Sequence, residues 1–152
     1  MKEIKLRELV KINIGKSYKH LKEGTHPVYA SGGIISNVSD FLFDDESVLL
    51  PNVYSPENII YVNKPFWTID TMFWTQIKKD LVIPKYLYYY LKLMNFSFSL
   101  TGSILPRVTR EKYYDTVVKL PDLERQQSVL KILNPIDDKI ELNNKINDNL
   151  VY

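Results

Sequence analysis

No cysteine occurs in this chain of 152 residues, so disulfides and thiolate metal sites are excluded. Histidine is nearly as scarce. His20 and His26 share one polar stretch and have no second ligand at metal-binding spacing. Both read as residues of a solvated loop. No P-loop, G-x-G-x-x-G or nucleophile elbow is present, so the commonest nucleotide-binding and serine-hydrolase signatures are missing. No apolar run approaches the roughly 20 residues of a membrane span. The start, MKEIKLRELVK, has no apolar core of the signal-peptide type. These absences predict a soluble, cytoplasmic protein with no catalytic centre of its own.

What is present is an ordinary globular composition, 45% hydrophobic and 25% charged. The length suits one domain with an appendage. Net charge is only +2, but its distribution is uneven. Residues 1–22 carry seven Lys/Arg against two Glu, and residues 78–112 seven against two acids. Between them, residues 40–57 carry five acids and no base. Two basic blocks meeting in space would attract phosphate. On charge alone, ordinary solvated faces are the simpler reading.

Along the chain, Ile4, Leu6, Leu9, Val10 and Ile12 mix helical and strand spacing, so the first segment is ambiguous. Lys16 to His26 reads as a loop. Val28-Tyr29 is a short strand ending in a Ser31-Gly32-Gly33 turn. Ser47 to Leu50 is a buried strand stopped by Pro51. Ile59 to Val62 and Trp67 to Ile77 are strands by their β-branched and aromatic content. Pro84 suits the first turn of a helix running to Met94, with Tyr86, Tyr89, Tyr90, Leu93 and Met94 at helical spacing. Asn95 to Leu105 is loop-like. Thr109 caps a short helix, and Thr116 to Leu120 is the last strand.

The tail from Leu123 has no glycine. Val129, Leu133, Ile136, Ile140, Asn143, Asn147 and Leu150 alternate spacings of four and three, a heptad seam. Asparagine on such a seam can fix register and partner number. Pro135 predicts a kink or break. The alternative is a helix docked on its own domain.

Catalytic readings fare poorly. Asp44-Asp45-Glu46 is more simply an acidic turn before a strand than a metal site. Pro51-Asn52-Val53-Tyr54 has one proline, before the asparagine, and so departs from the Asn-Pro-Pro-Tyr box of adenine methyltransferases. A small hydrolase using Asp70 or the acidic turn lacks histidine partners.

Several segments, taken in order, carry a resemblance. Ile4 to Lys16 is an amphipathic segment closed by Gly-Lys. Pro27-Val28-Tyr29-Ala30-Ser31-Gly32-Gly33-Ile34, Phe66 to Phe73 with its Asp70-Thr71, and Tyr86 to Leu91 follow. Gly102-Ser103, Pro106-Arg107-Val108-Thr109, the strand ending at Pro121 and the glutamine-led Leu123-Glu124-Arg125-Gln126-Gln127 complete the series. Together they resemble one target-recognition repeat of the specificity subunits of type I restriction-modification systems. The stretch 51–58 departs from that pattern in lacking a glycine-rich turn. So does Pro135, inside the expected spacer helix.

The resemblance implies an α/β (α+β) recognition domain over residues 1–122 and a helical spacer over 123–152. It implies a non-catalytic subunit that reads double-stranded DNA. Methylation and cleavage would belong to a methyltransferase (modification) subunit and a restriction subunit, which would bind S-adenosylmethionine and ATP. One repeat is half of the familiar two-repeat subunit, and a self-complementary helix would restore the whole by homodimerisation on a symmetric bipartite site. Base reading needs Arg, Asn, Gln, Ser or Thr at base edges, with Lys, Tyr, Ser and backbone N–H groups on phosphates. The loops offering them contain Lys16, Ser17, Tyr18, Lys19, Ser31, Gly32, Gly33, Asn52, Tyr54, Ser103, Arg107 and Arg110. Arg107 is alternatively a structural arginine paired with a carboxylate. The rival function is a protein-interaction adaptor without DNA preference.

Overall fold

The computed structural model describes residues 1–53, 58–94 and 107–150, with side chains as far as Ile146. The ambiguous opening segment becomes two strands. β1 (Lys2–Lys5) and β2 (Val10–Asn13) flank a 3-10 turn over Leu6–Glu8. The mixed spacing has a simple origin: the turn region buries Leu6 and Leu9, while strand alternation buries Val10 and Ile12.

Three sheets follow. β1 pairs antiparallel with β9 (Val117–Leu120), Lys2 opposite Leu120 and Lys5 opposite Val117. A four-stranded sheet has the order β2, β8 (Met72–Ile77), β5 (Ser47–Pro51), β6 (Ile60–Val62), antiparallel throughout. The third runs β4 (Gly33–Val38), β3 (Glu23–Ala30), β7 (Trp67–Thr68), with β7 parallel to β3. With α1 (Pro84–Leu93), α2 (Arg110–Tyr114) and α3 (Leu123–Leu150), this is an α+β architecture.

Two strand expectations need correction. Trp67 to Ile77 is two strands, because the chain leaves one sheet and joins another at the turn Ile69–Thr71. The Met72 N–H closes that turn onto the Ile69 carbonyl at 3.1 Å. The expected loop 16–26 ends early, since β3 already starts at Glu23. Its polar first residues are held by β4, with Glu23 and His26 both opposite Val38 across an irregular register.

The central strand β5 is buried along its whole length, as its apolar run requires. Two buried hydroxyls stand in for part of its ladder with β8. Ser47 Oγ donates to the Thr75 carbonyl at 2.7 Å and accepts the Thr75 N–H at 3.0 Å. Thr75 Oγ1 donates to the Val48 carbonyl at 2.8 Å and accepts the Val48 N–H at 3.1 Å. Every polar group here is thereby satisfied, the condition for burying it without a penalty of about 1–3 kcal/mol.

In α1 the buried stripe is Pro84, Leu87 and Leu91. The spacing seen at Tyr86, Tyr89, Tyr90, Leu93 and Met94 is helical but is not the core face. The tyrosines are half-buried around the stripe, and Leu93 is exposed. Thr109 caps α2 as expected, its hydroxyl accepting the Lys112 N–H at 3.2 Å.

α3 begins on a cap of its own, Asp122, whose carboxylate accepts the Arg125 N–H at 2.9 Å. It continues through Pro135 without the expected break. A proline there removes one donor and costs about 3 kcal/mol. Docking of Gln126 and Leu130 on one side of it, both buried, anchors the first half against that cost. From Asp138 to Ile146 every side chain is exposed, although Asp138 and Glu141 still border a cleft against Tyr61, Lys85 and Lys92.

Candidate nucleic-acid interface

The turn Ile69–Thr71, between β7 and β8, is a hub. Gly15 lies against it so closely that a Cβ would stand 2.2 Å from the Ile69 carbonyl oxygen and 2.4 Å from that of Thr68. Glycine is required there by close approach. The next residue is tied in twice. The Lys16 N–H donates to the Thr68 carbonyl at 2.8 Å, and the Lys16 carbonyl accepts the Trp67 indole N–H at 2.8 Å.

Two more loops converge on Thr71. Its hydroxyl accepts the Ser31 N–H at 3.1 Å, and its carbonyl accepts the Asn52 N–H at 2.9 Å. The Asn52 carbonyl in turn accepts the Val108 N–H at 2.9 Å, and Val53 bridges Arg107 antiparallel. Residues far apart in sequence therefore share one edge: Lys16, the turn Ser31-Gly32-Gly33, Asn52 and Arg107. Arg110 opens α2 two residues beyond Val108 and is exposed.

The remaining predicted residues divide. Ser17 and Lys19 are exposed in the loop after Lys16, the Ser17 hydroxyl accepting the Lys19 N–H at 3.4 Å. Tyr18 is half-buried and packs on the Val28, Val38 and Trp67 cluster, which gives it a core role. Gly33 has φ +117°, a backbone state that favours glycine, whereas a Cβ on Gly32 would meet nothing. Tyr54 and Ser103 lie outside the described residues.

Arg107 is exposed, and no carboxylate pairs with it among the described residues. The paired arginine is Arg7, 2.6 Å from Asp115 and 3.3 Å from Glu111. That contact holds the Asp115 carboxyl below the usual carboxylate range. The acidic turn is likewise engaged. Lys79 lies 2.6 Å from Asp45 and 3.5 Å from Glu46, and the Tyr61 hydroxyl donates to Glu46. Burial, reinforced by that carboxylate, pushes Tyr61 up. These pairs remove Arg7 and Lys79 from the long-range field, whereas Lys16, Arg107 and Arg110 at the edge, and Lys19 in the loop after Lys16, have no ion pair among the described residues.

Asp70, Thr71, Ile34 and Ile35 also stand at this edge and were absent from the expected set. The Asp70-Thr71 pair was visible as a motif, but its hub role depends on contacts between strands.

On α3, the first half follows the docked alternative, and the second half is exposed. Val129 and Leu133 are half-buried beside docked Leu130. Ile136 and Ile140 are each 54% exposed, Ile132 is 67% exposed, and Asn143 is exposed. The side chains of Asn147 and Leu150 lie outside those described.

Residues 1–151 match the family described as type I restriction modification DNA specificity domain. Over 80 residues the chain is 35% identical to the type I restriction enzyme HindI specificity subunit of Haemophilus influenzae, 47% of this chain and 17% of that protein. The fold is that of the S subunit of a type I restriction-modification system from M. genitalium. The TM-score is 0.83 at 21% identity, covering 98% of this chain and 42% of that one. The HsdS subunit from Thermoanaerobacter tengcongensis superposes with a TM-score of 0.68 at 16% identity, over 93% of this chain and 38% of that one. The chain thus spans less than half the length of each of these relatives. No described helix is long and apolar enough to cross a membrane.

Proposed function

The chain belongs to the type I restriction modification DNA specificity domain family, and from that membership we propose that it is the DNA-reading component of a type I restriction-modification complex. The observation that carries the reading is the gathering of Lys16, Ser31 and Asn52 along the segment Thr68–Thr71, with Arg107 bridged to Val53 beside Asn52. Unpaired cations supply phosphate attraction there, while serine, asparagine and arginine supply the donors and acceptors that read bases. The chain does no chemistry in this account. Methylation and cleavage fall to a methyltransferase and a restriction subunit, and S-adenosylmethionine and ATP bind those partners.

The exposed half of α3 supports the second part of the proposal. Ile132, Ile136 and Ile140 form an exposed apolar stripe along a helix with little to bury it. Two copies packed through it, or one copy packed on the methyltransferase subunit, would cover that stripe. A two-fold dimer would present two identical reading edges and so read a symmetric bipartite site.

Light scattering over a range of concentrations, alone and with the methyltransferase subunit, tests the assembly. A dimer that captures the methyltransferase is expected, and a monomer that ignores it contradicts this part. DNA binding that weakens steeply with salt is expected of the edge. Partner binding indifferent to salt and to DNA would favour the adaptor reading instead.

A further inference from the structure

The β3–β4 hairpin carries a feature that folding does not explain. Val28 pairs with Ser36 and Tyr29 with Ile34, so Ile35 is an extra residue, a β-bulge. Around that irregularity two successive isoleucines are exposed, Ile34 at 60% and Ile35 at 47%. An alternating strand would have turned one of them inward. Bulges commonly re-aim side chains next to functional sites.

The position is specific. Ile34 follows the Ser31-Gly32-Gly33 turn, which is bound to Thr71 on the edge already described. β4 is the free edge strand of its sheet, and β7 pairs with β3 only at Val28 and Tyr29. Only the Ala30–Gly33 pair and the Ser31-Gly32 turn project past β7, so Ile34, opposite Tyr29, and Ile35 stand on the free edge beside the hairpin tip, and a two-stranded tip is of a width the major groove admits. Residues 31–38 read Ser-Gly-Gly-Ile-Ile-Ser-Asn-Val, without a charge. The cations that attract phosphate, Lys16, Lys19, Arg107 and Arg110, lie on other loops. An uncharged, apolar segment amid them suits base edges rather than the backbone. In the major groove the apolar group on a base edge is the C5-methyl of thymine. Gly32 adds to this: nothing in the fold opposes a side chain there, so its smoothness serves an approaching surface.

We propose that the β3–β4 hairpin enters the major groove and that Ile34 and Ile35 read thymine through its C5-methyl. Exposed Asn37, two residues on, supplies a hydrogen-bonding group of the kind that recognises adenine. This rests on the DNA-reading function proposed above.

The test uses the full chain with its methyltransferase subunit and a duplex carrying the site found by mapping methylated bases. Deoxyuridine replaces thymine one position at a time, removing a single methyl. At one or two thymines of each half-site, affinity should fall about fourfold, the worth of one buried methyl-sized group. The doubly substituted Ile34→Ala/Ile35→Ala protein should melt like the parent and lose that sensitivity. Gly32→Ala should also fold normally yet bind DNA more weakly. Strong DNA binding indifferent to uracil at every position overturns the inference and leaves the DNA-reading function standing. So does a double variant that keeps the sensitivity, or one that instead loses the methyltransferase. A parent protein that binds no DNA overturns both.

Discussion

The side chain of Gln126, in the first turn of α3, accepts the backbone N–H of Ile83 at 2.8 Å. Its amide nitrogen donates to the Pro121 carbonyl at 2.9 Å and to the Leu81 carbonyl at 3.3 Å. One fully buried side chain thus joins the start of α1, the end of β9 and the base of α3. The glutamine that opens the tail is a structural pin between the sheets and the long helix α3.

Gln126→Ala should therefore destabilise the protein by about 1–3 kcal/mol, because one buried and two part-buried backbone groups lose their partner. Urea unfolding measures this. Hydrogen exchange at the Ile83 amide should accelerate more than at β5, because α3 is released first.

Gly15→Ala should cost about 1–3 kcal/mol, since its methyl meets backbone rather than a side chain that can move aside. The turn Ile69–Thr71 must shift with it. DNA affinity should fall further than stability does, in contrast to an equally destabilising core change such as Leu130→Ala. Paired melting and anisotropy titrations separate the two effects.

Lys16→Ala, Arg107→Ala and Arg110→Ala should each weaken DNA binding. Each lost phosphate contact should reduce the slope of log K against log salt by about 0.9. Arg7→Ala should leave that slope unchanged, because Arg7 is committed to Asp115 and Glu111. Titrations at several salt concentrations decide this.

Acid sensitivity should be slight and have a definite sign. Lys79 lowers the Asp45 carboxyl and Arg7 lowers Asp115. Groups shifted down contribute stability that is present above the unfolded value near 4 and lost as pH falls through the folded one. Both pairs are exposed, so solvent screens them strongly. Lys79→Met should lower the melting temperature slightly at pH 7 and converge with the parent below about pH 4, so that the acid limb becomes shallower.

Ile136→Glu with Ile140→Glu should abolish self-association without lowering the melting temperature of the domain, as neither residue touches its core. Sedimentation at several concentrations reads the first effect, and calorimetry on the monomeric species the second.

Local chemistry in the sequence located much of this fold. Pro84 at the head of α1, Thr109 at the cap of α2, the apolar run of β5 and the Ser31-Gly32-Gly33 turn are each set by neighbours in the chain. Relationships between distant segments were not legible. Thr71 holds Ser31 and Asn52 only because two sheets bring their loops together. Ile35 is extra only relative to its partner strand. The tyrosine spacing of α1 marks a helix but not which side is buried. Pro135 forecast a kink or a break by its local effect, and a helix docked by Gln126 and Leu130 runs on past it without a break. The cations at the edge were visible as two basic blocks, yet which of them stay unpaired depended on where Asp115 and Asp45 fold.

The central claim, that this chain selects DNA sequence, is tested most directly by mapping methylated bases in cells making the methyltransferase subunit with and without it. The account predicts one short bipartite motif that is modified only when the chain is present, and that changes or fades with Asn52→Ala or Arg107→Ala. An unchanged methylation pattern with and without the chain would contradict it.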